Sequence, residues 1–259
     1  MAIRGIVKAR NESHILADTL DNWARWCDAG IHVYCDACSD DGRTAEIAAV
    51  HPAVVEVLCS DLMDPNRERA EWFNRSWLLH SARRFLGPSD WICYFDADEQ
   101  CGLLDGDLLK KLEVDCVSVE SYESYITPED AELSEWQYAK RQWVGPEWEH
   151  APYFYRCRLP LEFYKPDQRN LDLPRGSVAV VGGKVRHWGK GLSIRKFDEK
   201  CRYYSEVFGP KYAAKWAARL GKAVHDDWRS DFGQPLVRWD DIISGKVPGI
   251  WRRRLTLVK

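Results

Sequence analysis

Residues 91–100, WICYFDADEQ, hold the densest chemistry in the chain, an apolar stretch that runs straight into Asp96, Asp98 and Glu99. At the carboxyl end of a parallel strand such groups open onto the crevice where α/β sheets bind ligands. Asp96 and Asp98 are two apart, so on an extended chain they project to one side. Carboxylates crowded there repel each other; a divalent cation relieves the repulsion, or one acid stays protonated. All-oxygen ligands suit Mg²⁺ or Mn²⁺, which keep waters and share their sites with substrate phosphates. The plainer alternative is an acid-rich turn that caps the next helix.

A second acidic segment, CDACSDDG at 35–42, closes another apolar run. Its Cys35 and Cys38 form a C-x-x-C with no second pair at zinc spacing, which argues against a structural zinc site. Asp36 between them raises a thiol pKa and so disfavours a redox role. Asp36 itself, at a strand's carboxyl end, is the ligand candidate, while Ser39 and Asp41 read as turn and cap residues. The first strand is followed by ARNES, not by a glycine-rich turn, so a dinucleotide or P-loop phosphate cradle is absent there. A nucleotide diphosphate would then be met by a metal and by basic side chains. Arg10, Arg67 and Arg69 are candidates, against the default of a solvated surface arginine. His187, between Arg186 and Trp188, reads by itself as a structural histidine, though imidazole is a good ligand for Mn²⁺ and a poor one for Mg²⁺.

The elements that must position these groups follow from periodicity. Ile3–Val7, Ile31–Cys35, Val54–Leu58 and Trp91–Phe95 are apolar runs of strand length. Between them Leu16, Leu20, Trp23 and Cys27 recur at helical spacing, a short helix spans Ala45–Val50, and a longer one carries Ala70, Phe73, Trp77 and Phe85. The alternation predicts an α/β fold with right-handed crossovers and a mainly parallel sheet flanked by helices, its fourth strand buried on both faces. Beyond Gln100 the spacing predicts a short helix over Leu108–Leu112 and a strand over Val114–Val119. Residues 122–175 are rich in Trp, Tyr, Pro and Glu without a clean period. They read as irregular structure and short strands over one end of the sheet, where an acceptor binds. Val178–Val181 reads as a strand, Ser193 as the cap of a helix carrying Ile194, Phe197, Cys201, Tyr204 and Phe208, and Pro210 as the start of another through Val224.

Composition bounds the rest. The chain has 259 residues, 45% hydrophobic and 30% charged, enough for a substantial core in one or two domains. A net charge of -3 and a pI near 6.2 argue against a protein that grips nucleic acid over its whole surface. Mean hydropathy is -0.47, and no apolar run approaches the roughly 18–20 residues of a membrane helix. The opening MAIRGIVKARNE meets charge too early for a signal peptide. Nine scattered cysteines, mostly in apolar runs, read as reduced thiols of a cytoplasmic protein. Of the thirteen tryptophans, Trp136, Trp143, Trp148 and Trp188 are candidates to stack on sugars, with core packing as the plainer reading. The tail combines Ile250 and Trp251 with Lys246, Arg252, Arg253, Arg254 and Lys259, which suits peripheral contact with anionic headgroups at the inner face of a membrane, or a basic segment paired with an acidic surface.

Taken in order, VKARNESHILADTLDNWARWCDAGIHVYCDACSDDGRTAEI and then DWICYFDADEQ resemble the nucleotide-sugar half of family 2-like glycosyltransferases of the GT-A fold. The first segment looks like that family's strand, N-E, helix, strand, D-x-x-S-x-D-G-x-T pattern, and the second like its D-x-D motif. The resemblance covers about the first 100 residues closely, weakens in the middle, and returns at KVRHWGKG. It implies a Rossmann-like GT-A domain over 1–192, with the acceptor side at about 120–175, and a helical C-terminal extension over 193–259. It implies a nucleotide-sugar donor, commonly linked to UDP, and a saccharide or lipid-linked acceptor in polysaccharide or glycolipid synthesis. By the same resemblance Ala9–Glu12 holds base and ribose, with Arg10 beside them and Glu12 the polar contact. Asp36 recognises the base, and Asp96 binds ribose or a metal-bound water. Asp98 ligates Mn²⁺ or Mg²⁺, and His187 is a late metal or diphosphate contact. Lys190, between Gly189 and Gly191, stabilises the leaving group from a flexible basic loop, and Arg69 is a further basic partner. Inverting transfer needs a carboxylate base, for which Glu149, Asp167 and Asp172 are the candidates. Two other readings stay open. One is a sugar nucleotidyltransferase, against which the missing glycine-rich loop counts. The other is a non-catalytic carbohydrate-binding or scaffold protein of the same fold, against which Glu12, Asp96 and Asp98 count.

Overall fold

A computed structural model describes residues 1–36, 40–60, 67–163, 170–171 and 177–247. The first region runs β1 (Ile3–Ala9), α1 (Leu16–Ala24), β2 (Ile31–Asp36), α2 (Arg43–Val50), β3 (Val54–Ser60), α3 (Arg67–Arg83) and β4 (Trp91–Asp96). The second runs β5 (Glu99–Leu103), α4 (Gly106–Lys111), β6 (Cys116–Ser124), β7 (Trp143–Arg156), β8 (Val178–His187), α5 (Ile194–Val207), α6 (Pro210–Ala217), β9 (Val237–Arg238) and α7 (Trp239–Ile243). Among the described residues these strands make one nine-stranded sheet in the order β3-β2-β1-β4-β7-β6-β8-β5, with β9 beside β7. The α/β class expected from the sequence is what is found.

β1 pairs in parallel with both β2 and β4, and β2 with β3. Period-2 alternation sends neighbouring side chains of these strands to opposite faces. Val7, Val33, Cys93 and Phe95 join one core with Leu16, Leu20 and Trp23 of α1. Ile6, Tyr34, Ile92 and Tyr94 join another with Leu78, Leu79 and Ala82 of α3. β4 is buried on both faces before it reaches Asp96. Trp23 is the keystone of the first core, stacked 4.7 Å from Phe95 and 5.6 Å from Tyr153.

Past β4 the sheet is mixed. β7 runs antiparallel to β4 and to β6, β5 antiparallel to β8, and β6 parallel to β8. The aromatic-rich middle of the sequence thus contains a fourteen-residue strand, β7, whose pairing with β6 shifts register at several points. α5 and α6 pack on Ile126 through Phe197, Cys201 and Trp216. No helix among the described residues is long and apolar enough to cross a membrane. The tail residues 248–259 lie outside the described residues.

Candidate active site

The two motifs of the first region are tied together at the carboxyl ends of β1 and β2. Ala9 is buried and pairs with Cys35. The chain then turns at Asn11, whose φ of 58° is left-handed, and Asn11 Oδ1 accepts from the Asp40 amide at 2.9 Å. Asp40 accepts from the Thr44 amide (2.9 Å) and from the Thr44 hydroxyl (2.8 Å), and Thr44 Oγ1 accepts from the Glu12 amide at 3.1 Å. The N-E segment and the D-D-G-R-T turn are therefore one hydrogen-bonded unit. Beside it Arg10 Nε lies 3.6 Å from Asp36 Oδ2. The Arg10 guanidinium also donates to the Tyr203 hydroxyl and stands 4.2 Å from its ring centroid, which brings α5 onto the strand ends.

Asp98 lies in the two-residue turn between β4 and β5, not on extended chain, so its side chain leaves the line of Asp96. Asp96 ends β4 half-buried opposite Lys8, and its amide donates to Glu99 Oε2 at 2.9 Å. The Asp98 carbonyl accepts from the Trp188 amide at 2.8 Å, fixing the turn against the end of β8. There His187 is the register partner of both Glu99 on β5 and Glu123 on β6. Asp98 Oδ1 is 3.4 Å from His187 Nε2. His187 Nδ1 faces Glu147 of β7 at 3.0 Å and Glu123 at 3.5 Å, and Glu147 also accepts from Ser121 Oγ at 2.9 Å. Glu147 thereby orients the ring and leaves Nε2 toward Asp98. Ligands of Mn²⁺ or Mg²⁺ at about 2.1 Å sit roughly 3 Å apart in an octahedron. The Asp98–His187 gap, too long for a good hydrogen bond, is close to that spacing. Glu123, Glu147 and His187 also present ligand atoms within 4.8 Å of one another. Asp98 Oδ1 and His187 Nε2 fit Mn²⁺ better than Mg²⁺ once the ring gives up its proton, while Glu123 and Glu147 lie at the opposite ring nitrogen.

Burial and mutual charge set the protonation states. Burial opposes ionisation of Asp98, but His187 and Lys200 outweigh it and hold its carboxyl well below the usual range. Burial likewise opposes the imidazolium, yet Glu123, Glu147 and Asp98 raise His187 well above its ordinary value. Burial, with Asp98 nearby, pushes Glu12 up to about 8, so at neutral pH it is mostly a carboxylic acid. Burial, helped by the Lys196 charge, pulls His14 down to about 4. Glu12 Oε2 and both ring nitrogens of His14 are buried without hydrogen-bond partners among the described residues.

The basic loop is pinned. The Lys190 amide donates to Glu123 Oε1 at 3.0 Å, and its ammonium is 2.8 Å from Asp231 and 3.4 Å from Glu123. Gly191 passes so close to β6 that a Cβ there would lie 2.4 Å from Ser124 Cβ. Of the sequence-derived candidates, Ala9, Arg10, Glu12 and Asp36 gather at the β1–β2 end, and Asp98, His187 and Lys190 at the β5–β8 end. Arg69 is exposed near the start of α3. Glu149 is two residues past Glu147, half-buried, with His150 as ion-pair partner at 3.9 Å. Asp167 and Asp172 lie outside the described residues, as does Cys38. Trp188 is core, packed on Tyr138 and under Arg186, whereas Trp136 and Trp148 are exposed.

Sequence reasoning missed Glu123, Glu147, His14 and Lys200. Glu123 and Glu147 stand in stretches without a readable period, so nothing marked them as inward-facing. Lys200 was legible in principle, since it precedes Cys201 on a stripe already read as helical.

No protein-family model matches the sequence, and no curated protein matches it. Among solved structures the chain is similar to residues 1–349 of TarS from S. aureus, at 12% identity over 86% of this chain and 70% of that one, with a TM-score of 0.42. It is similar to HddC from Yersinia pseudotuberculosis at 10% identity over 79% of this chain and 100% of that one, with a TM-score of 0.42. It is also similar to a putative nucleotide-diphospho-sugar transferase from Desulfovibrio desulfuricans, at 10% identity over 87% of this chain and 100% of that one, with a TM-score of 0.41. Likeness at these identities and scores assigns no substrate or activity to this chain.

Proposed function

We propose that the chain is a family 2-like glycosyltransferase of GT-A type that moves a sugar from a nucleotide donor, UDP-linked, to a saccharide or lipid-linked acceptor with inversion. The observation that carries this reading is the meeting of Asp98 and His187 at 3.4 Å, at the carboxyl ends of strands, beside the Arg10–Asp36 pair. In this reading the Asp98–His187 pair meets the diphosphate side of the donor and Asp36 its base, at the strand ends where such sheets bind ligands.

Asp98 and His187 would hold Mn²⁺ or Mg²⁺, which supplies positive charge toward the diphosphate when bound. Asp36, steadied by Arg10, accepts from the base. Glu12, protonated by its burial, donates to a ribose or phosphate oxygen instead of repelling it. Glu147 fixes the His187 ring, and Lys190 adds charge near the leaving group. The carboxylate that takes the acceptor's proton is sought among Glu149, Asp167 and Asp172.

The test is transfer or donor hydrolysis across common nucleotide sugars with Mn²⁺ and Mg²⁺. Asp98→Ala is expected to lower turnover by a factor of about a thousand or more while the melting transition is retained. Full turnover by Asp98→Ala with every donor would overturn the reading. Release of pyrophosphate from a nucleoside triphosphate would favour a nucleotidyltransferase instead.

A further inference from the structure

Ser193 sets the phase of α5. Its side chain accepts from the Lys196 amide at 3.1 Å, and Lys196, Lys200 and Tyr203 then follow at i, i+4 and i+7 on one face. Tyr203 meets Arg10, whose Nε lies beside Asp36. One turn earlier the Lys200 ammonium donates to the Gly189 carbonyl at 3.1 Å and stands 3.6 Å from Asp98 Oδ2. α5 therefore reaches both Arg10, through Tyr203, and Asp98, through Lys200.

Lys200 differs from Lys190 in what neutralises it. Lys190 lies against two carboxylates, Asp231 and Glu123, and its side chain is 12% exposed. The Lys200 side chain is 27% exposed, and its ion-pair partner among the described residues is Asp98, a carboxylate it shares with His187. The backbone is built to admit it. A Cβ at Gly189 would lie 2.7 Å from His187 Nε2 and 3.1 Å from Lys200 Nζ, so any larger residue there would crowd the two side chains that meet at Asp98.

We propose that Lys200 is a donor-contacting catalytic residue whose ammonium, carried by α5 and held by the Gly189 carbonyl, meets the diphosphate of the nucleotide sugar beside Asp98. This rests on the nucleotide-sugar reading above. In the transfer the bond between the anomeric carbon and the terminal phosphate oxygen breaks and its electron pair stays on that oxygen. The acceptor oxygen forms the new bond and loses its proton to the base. Lys200 stabilises the charge gathered on the departing diphosphate, as a point-charge donor to phosphate. α5 thus belongs to the donor site.

The experiment is calorimetric titration of UDP, inorganic pyrophosphate and uridine into wild type, Lys200→Met and Lys200→Arg, in EDTA and again with Mn²⁺. Losing one charge-assisted contact should weaken UDP and pyrophosphate by about tenfold or more in the Met variant. Lys200→Arg should stay within a few-fold of wild type, and uridine should bind all three alike. Equal UDP affinity for wild type and Lys200→Met in both media overturns the proposal. So does a uridine loss as large as the UDP loss, which marks a collapsed site. If the Met variant lacks a cooperative melting transition, Lys200→Gln takes its place under the same criteria. A wild-type chain that binds neither UDP nor pyrophosphate sinks the nucleotide-sugar reading and this proposal together. Normal wild-type binding with an indifferent Met variant removes Lys200 alone.

Discussion

β4 and β6 are both buried strands of the same sheet, yet they bury different things. β4 is apolar from Trp91 to Phe95 and releases its acid only at the end. β6 carries Ser118, Ser121, Glu123 and Ser124 into the interior among Val117, Val119 and Tyr122. The contrast extends to the regions around them. In the parallel region, scaffold and chemistry are separated along the chain, with apolar residues within strands and functional groups at strand ends. In the mixed region they are interleaved, and buried Glu123, Arg141 and Arg186 survive only because each has partners of opposite charge or carbonyls within reach. The first region should therefore tolerate changes at its polar ends better than the second, where buried charges belong to both core and site.

The largest expected stability effect lies in the separated region. Trp23 is fully buried, stacked on Phe95 and Tyr153, and its indole donates to the Glu99 carbonyl at 2.7 Å. Trp23→Ala is expected to cost about 3–5 kcal/mol in urea unfolding through lost burial and a residual cavity. It also frees the strand that follows Asp98. A loss under about 1 kcal/mol would mean that the core relaxes into the space and does not act as a rigid scaffold for the strand ends.

This division also explains what was legible in the sequence. β1, β2, β3 and β4 were read to within about two residues because their apolar runs contrast with polar turns. The Ser193 cap and the buried Phe197 and Cys201 were read from helical spacing. Of the residues that mark the longer helix in the sequence, Ala70 is buried but Phe73 and Trp77 are exposed, and the small and aliphatic Leu78 and Ala82 are buried instead. β7 was illegible: Pro146 and Pro152 argue against a strand, Glu147, Glu149 and His150 break its pattern, and register shifts erase any period. Long-range pairing supplies what local pattern lacks there. The same cause hid Glu147, whose role exists only once β7 lies beside β6.

A smaller effect should appear at the seam between the regions. His14, ahead of α1, is buried edge-on to Trp136, and burial with Lys196 keeps its pKa near 4 against an ordinary 6.5. The unfolded chain therefore takes up this proton first as pH falls. Stability from His14 is complete above about pH 6.5 and is lost progressively down to about pH 4, by about 3 kcal/mol at most. Glu12 acts with the opposite sign. Its raised value means that stability falls as pH climbs from about 4.5 toward about 8. Chemical denaturation of wild type and His14→Gln across pH 4–7 isolates the first contribution as a difference. Parallel curves for the two proteins would show that His14 does not titrate on unfolding in this range.

The smallest effect compares two helix caps of like geometry. Asp105 accepts from the Leu108 amide at 2.9 Å at the start of α4, and Ser193 accepts from the Lys196 amide at 3.1 Å at the start of α5. Ser193 Oγ also donates to Glu135 at 3.1 Å. Replacing either by Ala removes one hydrogen bond to an orphan amide and should cost about 1 kcal/mol in urea unfolding, with a further loss at Ser193 from its bond to Glu135. Their consequences for binding should differ. α4 stands away from Asp98, so Asp105→Ala should leave UDP affinity as it was. α5 carries Lys200 and Tyr203, so fraying its first turn should loosen both and weaken UDP by a few-fold. Equal UDP affinities for the two variants, at matched losses of stability, would separate α5 from the donor site and return it to a purely structural role.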